Sequence, residues 1–319
     1  MKQLHHVYVF LLLLVSVTFP SCIQEDLSGC ISDKRIYFDY EPSLSSPKSK
    51  GINPDDITRM NLFIFDENGL FVKEYMDEAP QMGPEYFMTV TGLESGYYRF
   101  VAWGNLKDHY AISSALIPGQ TTFDDLRIFL ECIKNNEVEE ELTPLFFATH
   151  KGNNTLEILK MSNQFIRLNL VKNTYKINVT VSGMDSTLTA NYDYKINIAD
   201  NNGIYKFDND FATCESFVYT QPCKVNKEHN GDLESSLTVL RLTADRQPLL
   251  SLVNKQTREL VVADRLVELI QAVNEMGASI DFEKTHEFDI KYELSQVASA
   301  SIVIYINGWK LIRQPEILD

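Results

Sequence analysis

Short runs in which apolar and polar side chains alternate, each closed by a turn signal, recur along most of this chain. That period of two is the period of a β-strand with one face toward a core and the other toward water. The clearest run is Tyr175-Lys176-Ile177-Asn178-Val179-Thr180-Val181, which stops at Ser182-Gly183. Residues 35–40 and 194–198 alternate in the same way, and the second run ends in Asp200-Asn201-Asn202-Gly203, which reads as a hairpin turn. Asn61-Leu62-Phe63-Ile64-Phe65 is apolar almost throughout, turns at Asp66-Glu67-Asn68-Gly69, and resumes at residues 70–75. This is a hairpin pattern. Residues 86–90 and 97–103 read as the next pair, around Gly92 and Gly96, and further strands are expected at 145–149, 163–171, 235–242, 249–253, 286–294 and 301–312.

Only one long segment follows a helical period. Leu260, Ala263, Leu266, Leu269, Ile270 and Val273 recur at spacings of three and four, which predicts an amphipathic helix over 260–273. Residues 123–130 read as a shorter one. A doubly wound α/β fold needs several crossover helices, so it is excluded. The expected class is mainly β: two tandem antiparallel β-sandwich domains with one or two short helices. Residues 22–165 and 166–319 each hold several strands, which sets the division near 165. With 44% apolar residues the chain is not disordered, and 29 basic against 44 acidic residues give a charge of −15. A surface of that sign repels phosphate, so nucleic acid is not a partner.

The N-terminus carries a targeting signal over residues 1–21. Lys2 precedes the apolar run of residues 7–17, and then comes Thr18-Phe19-Pro20-Ser21-Cys22. The run is too short for a permanent span of a ~30 Å hydrocarbon layer. Cys22 directly after Ser21 resembles the lipobox of bacterial lipoproteins, in which the cysteine is acylated and becomes the first residue. Several acyl chains hold a protein stably on a membrane. Gln24-Glu25-Asp26 is similar to the acidic export signal of surface lipoproteins in Bacteroidales. Setting Cys22 aside leaves Cys30, Cys132, Cys214 and Cys223, an even number in a compartment that permits disulfides. Cys214 with Cys223 closes a short loop and leaves Cys30 with Cys132, although spacing alone allows the other connectivities.

The residues point to no catalytic chemistry and no cofactor. His5 and His6 leave with the signal, and His109, His150, His229 and His286 have no partner at metal or catalytic spacing. There is no G-x-S-x-G, Walker or dinucleotide motif. Glu137-Val138-Glu139-Glu140-Glu141 reads as a solvated acidic loop, with calcium binding as its alternative. Trp103 and Trp309 end apolar strands and read as core residues.

Several segments, in this order, resemble the FimB-like fimbrial anchor subunits of Bacteroidales. Cys22-Ile23-Gln24-Glu25-Asp26-Leu27-Ser28-Gly29-Cys30 matches the family's C-x-x-x-D-L-x-x-C start, and residues 96–105 match its aromatic strand ending in Trp-Gly-Asn. Residues 172–183 resemble the strand that opens its second domain, and Asn202-Gly203-Ile204-Tyr205 and Ile306-Asn307-Gly308-Trp309 fit as well. The resemblance implies two transthyretin-like sandwiches and a base anchor for a type V pilus, lipid-held in the outer membrane and exposed at the cell surface. It also implies a fimbrial stalk pilin as partner, met by strand complementation. The segment from Lys310, Leu311 and Ile312 onward is then the candidate pilin contact. An adhesive tip subunit of the same pilus class, or a surface glycan-binding lipoprotein, is the alternative.

Acylation of Cys22 leads to a direct expectation. Cys22→Ser moves the protein from the membrane to the soluble fraction, since no other segment is long and apolar enough to retain it. A variant that still fractionates with the outer membrane contradicts lipid anchoring at this residue.

Overall fold

The computed structural model describes residues 33–40, 51–152, 154–160, 162–228, 231–295 and 302–313. Cys22, Cys30, His229 and the signal segment lie outside them. The first half contains β1 (Lys34–Asp39), β2 (Met60–Asp66), β3 (Phe71–Asp77), β4 (Phe87–Val90), β5 (Gly96–Gly104), β6 (Tyr110–Ile112), β7 (Arg127–Leu130), β8 (Glu137–Val138), β9 (Phe146–Thr149), β10 (Leu156–Ile158) and β11 (Gln164–Lys172). The second contains β12 (Thr174–Ser182), helix α1 (Ser186–Asn191), β13 (Tyr194–Asp200), β14 (Ile204–Lys206), β15 (Phe217–Pro222), β16 (Lys224–Asn226), β17 (Asp232–Leu240), β18 (Leu249–Asn254), β19 (Leu260–Arg265), helix α2 (Leu266–Glu275), β20 (Glu287–Glu293), β21 (Ile302–Ile306) and β22 (Trp309–Arg313). The mainly β class holds.

The first sheet runs β3-β2-β5-β9-β11-β1-β4, with β10 beside β5. A six-stranded sheet, β16-β17-β12-β20-β21-β22, and a five-stranded one, β19-β18-β13-β15-β8, make up most of the second half. A small sheet, β14-β7-β6, joins the halves. Pairing is mostly antiparallel, but β1 with β11, β12 with β20 and β15 with β8 are parallel. The boundary expected at residue 165 falls inside β11, which belongs wholly to the first sheet; sheet membership changes across the buried Asn173.

Two cores follow from the alternation. On β2, β5 and β9 the side chains of Met60, Leu62, Ile64, Phe100, Ala102, Phe146 and Ala148 face one apolar cluster within the first sheet. The intervening Phe63, Phe65, Val101, Trp103 and Phe147 face a second cluster that continues into the second half. There Trp103 meets Phe147 at 5.0 Å and Tyr205 at 5.9 Å between ring centroids, and Phe207 lies 5.0 Å from Phe63. The Tyr205 hydroxyl accepts from the Arg241 amide at 3.2 Å and donates to the Asn173 carbonyl at 3.3 Å, so its polar end is satisfied inside the junction.

Several expectations are corrected. Residues 260–273 are not one helix: β-branched Val261 and Val262 lie in β19, which pairs with β18, and the helix begins at Leu266. Among its buried residues, Leu266, Leu269, Ile270 and Val273 keep the spacing of three and four. Residues 123–130 hold only a 3₁₀ turn, capped by Thr122, before β7 begins. β4 and β5 are not partners, since β4 pairs with β1 and β5 with β2. Asp200–Gly203 is not a hairpin turn, because β14 leaves β13 to pair with β7. Gly183 is required where β12 ends: its φ is +82°, and a Cβ there would collide with the Leu294 carbonyl oxygen.

The expected bridge between Cys214 and Cys223 is not formed, and both are free thiols. The Cys214 thiol donates to the Asn201 carbonyl at 2.9 Å, beyond one end of β13, whereas the Cys223 amide donates to the Tyr194 carbonyl at its other end. A strand of that length separates them by ~20 Å, against the ~7 Å limit between Cα atoms for a disulfide. The partner proposed for Cys132 is Cys30, which lies outside the described residues; Cys132 itself is half-buried, and burial pushes its thiol up to about 11.

Two outcomes follow. Non-reduced peptide mapping recovers Cys214 and Cys223 unlinked to each other; a peptide joined through this pair contradicts the strand arrangement. His286, buried against Tyr175 with centroids 5.5 Å apart, has its pKa lowered by burial, then by Lys172, to about 4 from 6.5. The unfolded chain therefore binds a proton that the fold refuses, so stability falls as pH drops from 6.5 toward 4, by up to ~3 kcal/mol. Urea unfolding across that range shows this loss in the parent and a shallower one in His286→Phe; equal slopes refute it.

Candidate functional site

The C-terminal hairpin forms the edge of the six-stranded sheet. Sequence reading took residues 301–312 as a single strand continued past Gly308-Trp309. The structure instead turns at Asn307-Gly308, whose φ values are +50° and +86°, the signature of a two-residue hairpin turn. β21 pairs with β20 on one side and with β22 on the other, in the register Ile306 with Trp309, Ile304 with Leu311 and Ile302 with Arg313. Ile304 and Ile306 face the core and are fully buried, and Leu311 packs against the same cluster. Lys310 and Ile312 stand opposite Tyr305 and Val303 on the outer face.

Trp309 is 40% exposed and Ile312 59% exposed, so only Trp103 of the two tryptophans is a core residue. Among the described residues no other strand pairs with β22. In a two-residue hairpin the pair flanking the turn exchanges its hydrogen bonds, and pairs then alternate. Lys310 and Ile312 therefore direct their main-chain N–H and C=O groups away from β21, toward the open edge. An apolar edge with unpaired main-chain groups is a template for another strand.

The far end of β22 is pinned. The Arg313 guanidinium pairs with the Asp264 carboxylate on β19 and reaches the Ala263 carbonyl at 3.5 Å. Burial pushes the Asp264 carboxyl above the usual range, and Arg313 pulls it back. Helix α2, with one face buried, packs beside β19, β21 and β22. Beside the hairpin Lys291 pairs with Glu293 at 2.6 Å, and the Tyr305 hydroxyl donates to the same carboxylate at 3.2 Å. These residues, with Asn178, Thr180, Asp289 and Gly308, line a shallow hollow of about 520 Å³ on the outer face.

The other sequence candidates lie elsewhere. Glu137 pairs with Lys195 at 3.2 Å, and Glu140 pairs with Lys134 at 3.1 Å and lies 3.4 Å from the His109 ring, so two of the run's four carboxylates are held by cationic neighbours. Its neighbourhood forms a hollow of about 820 Å³ that also holds Lys255 and Arg258. Cys132, Cys214, Cys223 and the hairpin are not brought together. Sequence reading missed the edge although Asn307-Gly308, flanked by apolar runs, is a strong hairpin signal.

The model of a protein family described as fimbrillin-A associated anchor proteins Mfa1 and Mfa2 matches residues 27–315. The minor fimbrium anchoring subunit Mfa2 of Porphyromonas gingivalis is 26% identical over 325 residues, covering 96% of each chain. The solved fimbrial anchor protein Mfa2 from the same species superposes with a TM-score of 0.72 at 24% identity, over 89% of this chain and 100% of that one. A DUF1812 structure of Bacteroides thetaiotaomicron, described as that of polysaccharide-binding proteins, superposes at 0.73 with 20% identity, over 89% of this chain and 99% of that one. The chain belongs to the family of fimbrillin-A associated anchor proteins Mfa1 and Mfa2.

Proposed function

We propose that this chain is the base anchor of a surface pilus. Acylated Cys22 holds it in the outer membrane, and its two sandwiches carry load from that point to a stalk pilin captured at the C-terminal hairpin. The family supports a fimbrial anchor. The open β22 edge is the observation that carries the mode of capture. A pilin strand laid along it gains main-chain hydrogen bonds through Lys310 and Ile312, while apolar side chains cover the exposed Ile312 and Trp309. Leu311 and Arg313, facing inward, keep the hairpin seated under that load. A donated tail is the other form of complementation, and Arg313, held by Asp264, sets its start at residue 314.

The two forms separate experimentally. Ile312→Pro removes one outward donor and leaves the bonds to β21 in place, as proline is tolerated on a sheet edge. It should fold and retain at least about fivefold less pilin in a pull-down, each such bond being worth ~1 kcal/mol. Deletion of residues 314–319 should leave capture unchanged. Loss of capture on deletion alone transfers the role to the tail, and capture that survives both changes overturns strand complementation at this terminus.

A further inference from the structure

A second surface, on the first sheet, has a composition that neither the core nor the pilin edge explains. β4, β1 and β11 lie side by side, and their register sets Phe87, Tyr37 and Arg167 in one cross-strand row and Thr89, Arg35 and Phe165 in the next. Inward-facing neighbours on the same strands, Ile36, Met88 and Ile166, are core residues. On the outer face, three rings and two guanidinium groups lie side by side. Tyr37 lies 5.4 Å from Phe87 and 6.3 Å from Phe165, centroid to centroid. The Arg35 guanidinium carbon is 4.8 Å from the Phe87 centroid and 6.0 Å from that of Phe165, and Arg167 is 5.3 Å from that of Tyr37.

Two features of this face point outward. Phe165 is 66% exposed, the most exposed large apolar side chain among the described residues. Arg167 is paired with Asp39 at 2.6 Å, but Arg35 meets neither a carboxylate nor a hydrogen-bond acceptor among the described residues. Its fork of N–H donors is held by two rings and left without an anion, on a chain whose net charge is −15. A guanidinium so placed suits a planar carboxylate, which it can take through two parallel hydrogen bonds.

The size of the patch decides between classes of partner. Six positions on three strands, ~4.8 Å apart across the sheet and ~7 Å along it, cover ~200 Å². A stable protein interface needs ~800 Å² on each side. A lipid surface needs rings that reach past the headgroups, and Tyr37 and Phe87 sit half-buried on a flat sheet. A short stretch of sugar chain fits both area and chemistry: the C–H face of a pyranose stacks on an aromatic ring, and a uronate supplies the carboxylate. We propose that this face binds an acidic polysaccharide, with Phe165 and Tyr37 stacking on successive sugars and Arg35 receiving a carboxylate. The proposal does not depend on the pilus reading.

Calorimetric titration of the full mature chain with oligogalacturonate and oligoalginate tests it, with the methyl-esterified oligosaccharides and anionic phospholipid vesicles as comparisons. The acidic sugars should bind in the millimolar range or better, and esterification should weaken them at least about tenfold by removing the charge-assisted bonds. Arg35→Ala and Phe165→Ala should each weaken binding by about tenfold. Arg35→Lys should fall between, since charge is kept and the fork is lost. Both positions are exposed, and circular dichroism confirms that the variants fold. No binding of either acidic sugar, equal binding of acid and ester, binding indifferent to both alanine variants, or binding to vesicles alone would each overturn the proposal.

Discussion

Strands β2 and β9 and the Phe100–Gly104 stretch of β5 are covered on both faces, and the rest of the molecule is arranged around that wall. A strand with one wet face alternates apolar with polar residues, but these three are apolar almost throughout because two cores press on them. On one side the first sheet supplies its own cover. On the other, Phe207 and Tyr205 from the second half fill the space against Phe63, Phe65 and Trp103. Burial of rings of this size contributes several kcal/mol each, and the contacts join sequence positions that are 102 to 144 residues apart. The two small cross-pairings, β7 with β14 and β8 with β15, add main-chain bonds to the same junction.

That junction gives an anchor its mechanical sense. β1 follows the N-terminal segment, and β22 ends the described chain, so under the proposed function a pull between a lipid-held N-terminus and a captured strand would run through both halves. On that reading load would enter at β22, an edge strand held by β21 along one side and by the Arg313–Asp264 pair at its end. It would leave through β1, whose neighbours β11 and β4 flank it in the first sheet. Between them lies a continuous apolar cluster rather than a flexible linker. The fully buried Asn105, with a positive φ of +59°, adds a polar lock nearby: its side chain donates to the Asp56 and Pro144 carbonyls and accepts from the Thr58 amide.

Much of this was legible in the residues. The period of two in residues 175–181 marks β12 correctly, and the turn at Asp66–Gly69 marks the β2–β3 hairpin. What the pattern does not carry is partnership between distant strands. Alternation is local, so it did not say that β4 joins β1, or that β14 crosses to β7. The helix was misplaced at its start because Leu260 and Ala263 extend its spacing by chance, while Val261 and Val262 favour a strand. Cysteine counting failed because it ignores the strand that separates Cys214 from Cys223. The open β22 edge is signalled by Asn307-Gly308, which the strand pattern alone passes over; the ring-and-arginine face of Arg35, Tyr37 and Phe165 needs the parallel register of β1 with β11 and could not be seen in one dimension.

The central claim is that the shared core makes the two halves a single cooperative unit. Differential scanning calorimetry of the mature chain tests it most directly. Welded halves give one transition whose calorimetric enthalpy equals its van't Hoff enthalpy. Two separable transitions, or a calorimetric enthalpy near twice the van't Hoff value, would show that the halves unfold independently and that the junction does not carry load between them.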